Sequence, residues 1–245
     1  MEFLSEVAAW FTNPANWSGQ NGIPARFWEH ILLSGIPLLI GLMVALPLGL
    51  FIGHTRRWAG VVVGITNVGR AVPSVGILGI AFTLTLPLVA ALDLRNIGTP
   101  AAIIALVALA IPPIVVNAYV GIRDVDRDIV EAARGMGMHE RQVLRRVELP
   151  LALPVILAGI RTATVQVIAT ATLGAILSTG GLGRFIVDGF ARQNYPMMFG
   201  GALLVMLLAL ASDGLFAIAQ RAAISPGLQG TRPDRTIEPA PGFGL

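Results

Sequence analysis

Long apolar runs alternate along this chain with short polar breaks. The runs extend from Ile31 to Gly53, roughly Ala59 to Val89, about Ile97 to Ile122, about Leu151 to Leu177 and about Phe199 to Ala219. About 20 helical residues cross the hydrocarbon of a bilayer, so each run is long enough to cross once with some tilt. Backbone N–H and C=O groups in lipid must be satisfied within their own segment, which predicts helices for all five. The second run is longer than one crossing needs and is interrupted by Asn67 and Arg70. Pro37, Pro47, Pro73, Pro87, Pro112, Pro113 and Pro154 fall inside runs. Membrane helices tolerate them where neighbours re-satisfy the freed carbonyls, often beside a pathway. The pattern predicts an all-α, polytopic transmembrane bundle of about five spans.

Composition supports this class. Hydrophobic residues make up 55% of the chain and charged ones only 13%, about half the charge of a soluble domain. All 17 basic residues are arginine, and cysteine is absent, which excludes disulfides and thiolate metal sites. The arginines flank the runs, so they report topology rather than nucleic-acid binding. With the N-terminus outside, eleven of them face the cytoplasm and only Arg26, Arg95, Arg184 and Arg192 face outward. Trp10, Trp17 and Trp28 then lie near the outer interface. Glu2 and Glu6 are not the positive start of a signal peptide. The expected organisation is an extracytoplasmic segment over 1–30, a membrane domain over 31–220 and a flexible cytoplasmic tail over 221–245, rich in Pro and Gly. The setting is a plasma membrane, the bacterial inner membrane.

The most charged stretch, "EAARGMGMHERQVLRRVELP" from Glu131 to Pro150, separates the third and fourth runs. Asp126 or Asp128 can cap a short helix through Glu131, Ala132 and Ala133. Gly135 and Gly137 permit a sharp turn. A second short helix is expected from near His139 to Pro150, with Val143, Leu144 and Val147 inward and Arg141, Arg145 and Arg146 outward. Such a pair fits a groove on another protein, and equally an anionic membrane surface.

The spacing Glu131-Ala132-Ala133, then Gly137, then Val147-Glu148-Leu149-Pro150 resembles the hallmark loop of ABC-importer membrane subunits, with Val in place of Ile. The stretches "LPLALPVILAGIRTATV" and "TATLGAILSTGGLG" resemble the permeases for glycine betaine, carnitine and choline, over about residues 31 to 220. The "GGLG" at Gly180, Gly181, Leu182 and Gly183 also recurs in methionine-type permeases. In the second run the chain departs from the pattern, with Arg70-Ala71 where a Gln-Thr pair is expected. The resemblance implies the type I importer permease fold and an uptake function for quaternary-ammonium osmoprotectants. It implies that Glu131, Ala132, Ala133, Gly137, Met138, Val147, Leu149 and Pro150 couple the chain to a separate cytoplasmic ATPase, which binds the ATP and Mg. The other implied partners are a second permease copy or homologue and an extracytoplasmic substrate-binding protein, which would hold any aromatic cage for the cation. The chain itself would bind no cofactor, and "GMGMHE" is no phosphate-binding loop. A methionine or other amino-acid permease is the alternative. An ion-coupled transporter is disfavoured, since it calls for mid-membrane carboxylates and inverted repeats, and only Asp213 is available.

Ionisable groups inside a membrane are costly and therefore informative. Arg161 and Asp213 lie at similar depths, roughly 10 and 12 Å from the cytoplasmic ends of their spans, and are expected to pair. Arg70 is deeper, roughly 16 Å in, and with Asn67, Ser74, Gln166 and Thr170 is a candidate for lining the pathway. Thr162, Thr164 and Thr172 read first as packing groups that bond carbonyls four residues back. His30, His54 and His139 have no metal-ligand spacing and read as solvated surface residues.

Overall fold

The structure is a computed structural model that describes residues 2–62, 64–65, 72–92 and 96–223. Helix α1 (Glu2–Thr12) and a 3-10 turn (Pro14–Trp17) precede α2 (Ile23–Thr55). Helix α3 (Ser74–Ala91) and α4 (Gly98–Arg123) follow, then two short helices, α5 (Arg127–Gly135) and α6 (Glu140–Val143). A wider π turn (Leu144–Glu148) leads into α7 (Leu149–Thr170), which tightens into a 3-10 segment (Ala171–Leu177). Helix α8 (Gly183–Ala191) and α9 (Tyr195–Ala223) complete the described chain. Among the described residues there is no strand, and five helical segments are long and apolar enough to cross a membrane.

Helix α4 is the axis of the bundle. Half of its apolar window is buried, against 11% for α9. It packs between α2 and α7, with α3 along a further side. Lipid is as apolar as a core, so close approach rather than hydrophobicity holds such helices together, and small residues permit it. A Cβ on Gly49 would stand 2.6 Å from the Ala118 Cβ, and one on Gly53 would stand 2.8 Å from the Ile122 Cβ. Gly41 meets Ala110 in the same way. These glycines lie on one face of α2 at helical spacing. On the other side of α4, Gly121 abuts the Ala152 carbonyl. Ile114, Val115, Ala163 and Val167 fill the centre between these contacts.

One sequence expectation changes. The second apolar run is not one helix: residues 59–62 and 64–65 are helical, and α3 starts afresh at Ser74. Pro73 causes the restart, since it brings no N–H to a continuing helix and sits extended at ψ 137° as the N-cap. The N-terminal 30 residues also carry regular structure. Helix α1 lies on α9, with Trp10 over Gly200 and Phe3 edge-on to Phe199, and it reaches α8 where Trp10 stands edge-on to Phe185. Helix α2 begins at Ile23, eight residues before the apolar run, because Gly22 and Pro24 open it cleanly.

Candidate coupling site

Helices α5 and α6 form the water-facing unit between α4 and α7. Asp126 caps α5, its carboxylate accepting the Asp128 N–H at 2.9 Å. On α5, Glu131 and Ala132 are exposed, whereas Val130 and Ala133 turn inward onto Val143, Ile122 and Ile156. The chain then reverses at Gly137, whose φ is +86°. The Gly137 N–H bonds the Arg134 carbonyl and the Met138 N–H bonds the Ala133 carbonyl, closing the end of α5. Met136 is 77% exposed at the tip. Arg134 clamps the unit with two bonds to the Glu140 carboxylate, at 2.8 and 2.9 Å. That contact pushes the Arg134 guanidinium further above its ordinary value.

The segment after α6 departs from the expected continuous helix. Val143 is fully buried and Arg141, Arg145 and Arg146 are exposed, but Leu144–Glu148 is wound as a π turn in which Leu149 N–H reaches the Leu144 carbonyl. One residue is thereby added before Pro150, which lacks an N–H and starts the span. Val147, Leu149 and Met138 are half-buried against the same apolar cluster, and Pro150 is exposed.

Two histidines are not solvated as the sequence suggested. His54, in the last turn of α2, places Nδ1 2.5 Å from the Glu148 carboxylate and Nε2 3.2 Å from that of Glu140. Glu148 is only 3% exposed. A carboxylate buried just before a membrane span needs a partner, and His54 is that partner. The signal in the sequence was Glu148 itself, a charge set between Val147 and Leu149 where apolar packing was expected. His30 is fully buried, its Nε2–H donating to the Ile168 carbonyl where α7 gives way to the 3-10 segment. His139 is exposed.

The remaining candidates lie within the bundle. The structure pairs Arg161 of α7 with Asp213 of α9 through two parallel bonds. Both side chains keep about a third of their exposure, so the pair sits on the flank rather than in the centre. Ser74 and Thr170 meet at one narrow cavity between α3, α4 and α7, floored by Leu106, Leu109 and Gly174. Gln166 is half-buried one turn before Thr170. Thr162 and Thr164 donate to carbonyls four residues back, and Thr172 to one three back. Asn67 and Arg70 lie outside the described residues. Among the described residues no group of three His, Cys, Asp or Glu could hold a metal ion.

A helical bundle with a buried axis, proline-broken spans and a braced water-facing helix pair fits the class of membrane transport components. The chain belongs to the family of binding-protein-dependent transport system inner membrane components, whose profile matches residues 45–225. It is 38% identical over 204 residues to the choline transport system permease protein OpuBB of Bacillus subtilis, covering 83% of this chain and 89% of the relative. It is 37% identical, over the same shares, to the glycine betaine/carnitine/choline transport system permease protein OpuCB of that organism. It is 39% identical over 183 residues to the carnitine transport permease protein OpuCB of Listeria monocytogenes, covering 75% of this chain and 79% of the relative. The fold is similar to that of a chain of the MetNI methionine ABC transporter, a structure solved in inward-facing conformations, with a TM-score of 0.72 at 22% identity over 87% of this chain and 100% of that one.

Proposed function

We propose that this chain is the membrane-spanning permease subunit of an ATP-driven importer for quaternary-ammonium osmoprotectants: glycine betaine, choline and carnitine. Relatives in two bacteria named for transport of these solutes support the substrate class. The observation that carries the coupling role is the α5–α6 pair. It offers Glu131, Ala132 and Met136 to water, yet it is braced from behind by Ala133, Val143 and the Arg134–Glu140 clamp. A rigid projection can transmit a push, whereas a loop lying loose on lipid cannot. In this reading a separate cytoplasmic ATPase, carrying ATP and Mg, moves the pair when it closes. Helices α4 and α7 then move with it, since they continue it at both ends. Two permeases face one another across the pathway, and an extracytoplasmic binding protein delivers the solute. The N-terminus lies outside and the C-terminus in the cytoplasm.

The test is uptake of radiolabelled glycine betaine, choline, carnitine and methionine, in a strain lacking its own importers and given this permease with its ATPase and binding protein. Betaine or choline uptake that disappears in Gly137→Asp supports both solute class and coupling. Methionine uptake alone would retain the machine and discard the solute class. Single cysteines across Met136 to Glu140 should crosslink to the ATPase, and failure at every position would remove the docking claim.

A further inference from the structure

Three spans end near the helix pair, but they are joined to it differently. Helix α4 runs into α5 through the short Asp124–Asp126 link, and α6 runs through the π turn into α7. Helix α2 has no covalent continuation into the pair. A cavity of about 300 Å³ lies between the end of α2 and helix α5, lined by His54, Arg56, Arg127, Glu131, Arg134 and Glu148. One imidazole spans this gap with both of its nitrogens. His54 touches Glu140 of α6 with one nitrogen and Glu148 of the π turn with the other. Glu140 is in turn held by Arg134 of α5. One side chain of α2 therefore reaches α6 and the start of α7 directly, and α5 through one further ion pair.

From this arrangement we propose that His54 is the positioning residue that makes α2 follow the helix pair during transport. The inference rests on the coupling role proposed above. Gly49 and Gly53 lock the same end of α2 against Ala118 and Ile122 of α4. A displacement of the pair thus reaches α2 by two routes, along α4 through close packing and across the cavity through His54. Without the second route, the end of α2 can lag behind the π turn while the ATPase still closes. Glu148 is the buried terminus of that route, and its hydrogen bond with Nδ1 makes the contact directional rather than a matter of fit.

In proteoliposomes containing the whole complex, His54→Ala should keep ATP hydrolysis within about twofold of the parent and lower uptake by about tenfold or more. His54→Asn sets an amide where Nδ1 stands and should recover most of the uptake, whereas His54→Gln reaches toward Glu140 instead and should not. Undiminished uptake in His54→Ala, or an equal loss of hydrolysis and uptake, overturns the proposal. A second arm needs no solute. The chain has no cysteine of its own, so spin labels can be set on Thr55→Cys, the last residue of α2, and Arg145→Cys of the π turn, with His54 and Glu148 left in place and any cysteines of the ATPase removed. If His54 makes α2 follow the pair, the separation of the labels changes by less than about 2 Å between the nucleotide-free and the vanadate-trapped complex, and by more than that when His54→Ala is added. A larger change with His54 present, or a separation as fixed in His54→Ala as in the parent, refutes the proposal. Should His54→Ala not assemble, the measurement with His54 present decides alone. A parent complex that takes up none of the four solutes would count against the substrate reading and leave this second arm intact.

Discussion

At Gly137 the backbone takes a φ that a side chain resists, yet a Cβ there would meet nothing within 4 Å. Strain and crowding are thus separated at this residue. Gly137→Ala should cost about 1–2 kcal/mol in the turn alone, and full-length protein should still reach the membrane in normal amount. Uptake should fall, because the loss is confined to the shape of the projection; unchanged uptake would show that the turn is not read by any partner. Arg161 and Asp213 make the opposite case, since there the partner is everything. Arg161→Asp or Asp213→Arg should sharply reduce the assembled protein recovered in detergent, and the double exchange should restore most of it. Depth along a straight helix is a quantity a sequence carries, so these two could be set at one level by counting. His54 and Glu148 could not be joined that way. They belong to the end of one span and the threshold of another, and only the packing of α2 on α4 brings those places together.

Among the elements, α2 shows how closely a membrane helix can depend on residues with no side chain to speak of. Its contact with α4 runs through Gly41, Gly49 and Gly53. Gly49→Val should force the two apart against the Ala118 side chain and the Val115 carbonyl, destabilising by about 1–3 kcal/mol. A lower apparent Tm of the purified complex is the expected result, and an unchanged value would mean that the helices have room to separate. Spans and proline positions were legible because lipid leaves the backbone few choices. The break before α3 was half legible: Pro73 was noted, but a proline inside a membrane run reads equally as a kink or as an end. The π turn was not legible. Its extra residue is a compromise between the register that buries Val143 and the register that starts α7 at Leu149, and registers are settled by contacts.

For the whole molecule, the arginine asymmetry gives a direct test of orientation. In intact cells Ser18→Cys should react with a membrane-impermeant maleimide, and Arg145→Cys should react only after permeabilisation. The reverse pattern would invert the topology and place the α5–α6 pair on the wrong side for an ATPase. The fold class was readable because five apolar runs and their charged breaks leave few alternatives to a bundle. The order of burial, with α4 innermost and α9 almost wholly outside, was not, because all five runs are similarly apolar and differ chiefly in where their small residues lie.

The contact of α1 with α9 has a consequence for the making of the protein. Trp10 lies over Gly200, so a residue made earlier waits for a seat made about 190 residues later. At 5–20 residues per second, the interval is roughly 10 to 40 s. Until then the indole of Trp10 and the faces of Phe3 and Phe11 stay open to whatever the bilayer offers, be it lipid, a chaperone or a neighbouring nascent chain. The join between α1 and α9 closes only once Gly200 has been made, and a chain stopped before it carries that open face as a mark of its own incompleteness.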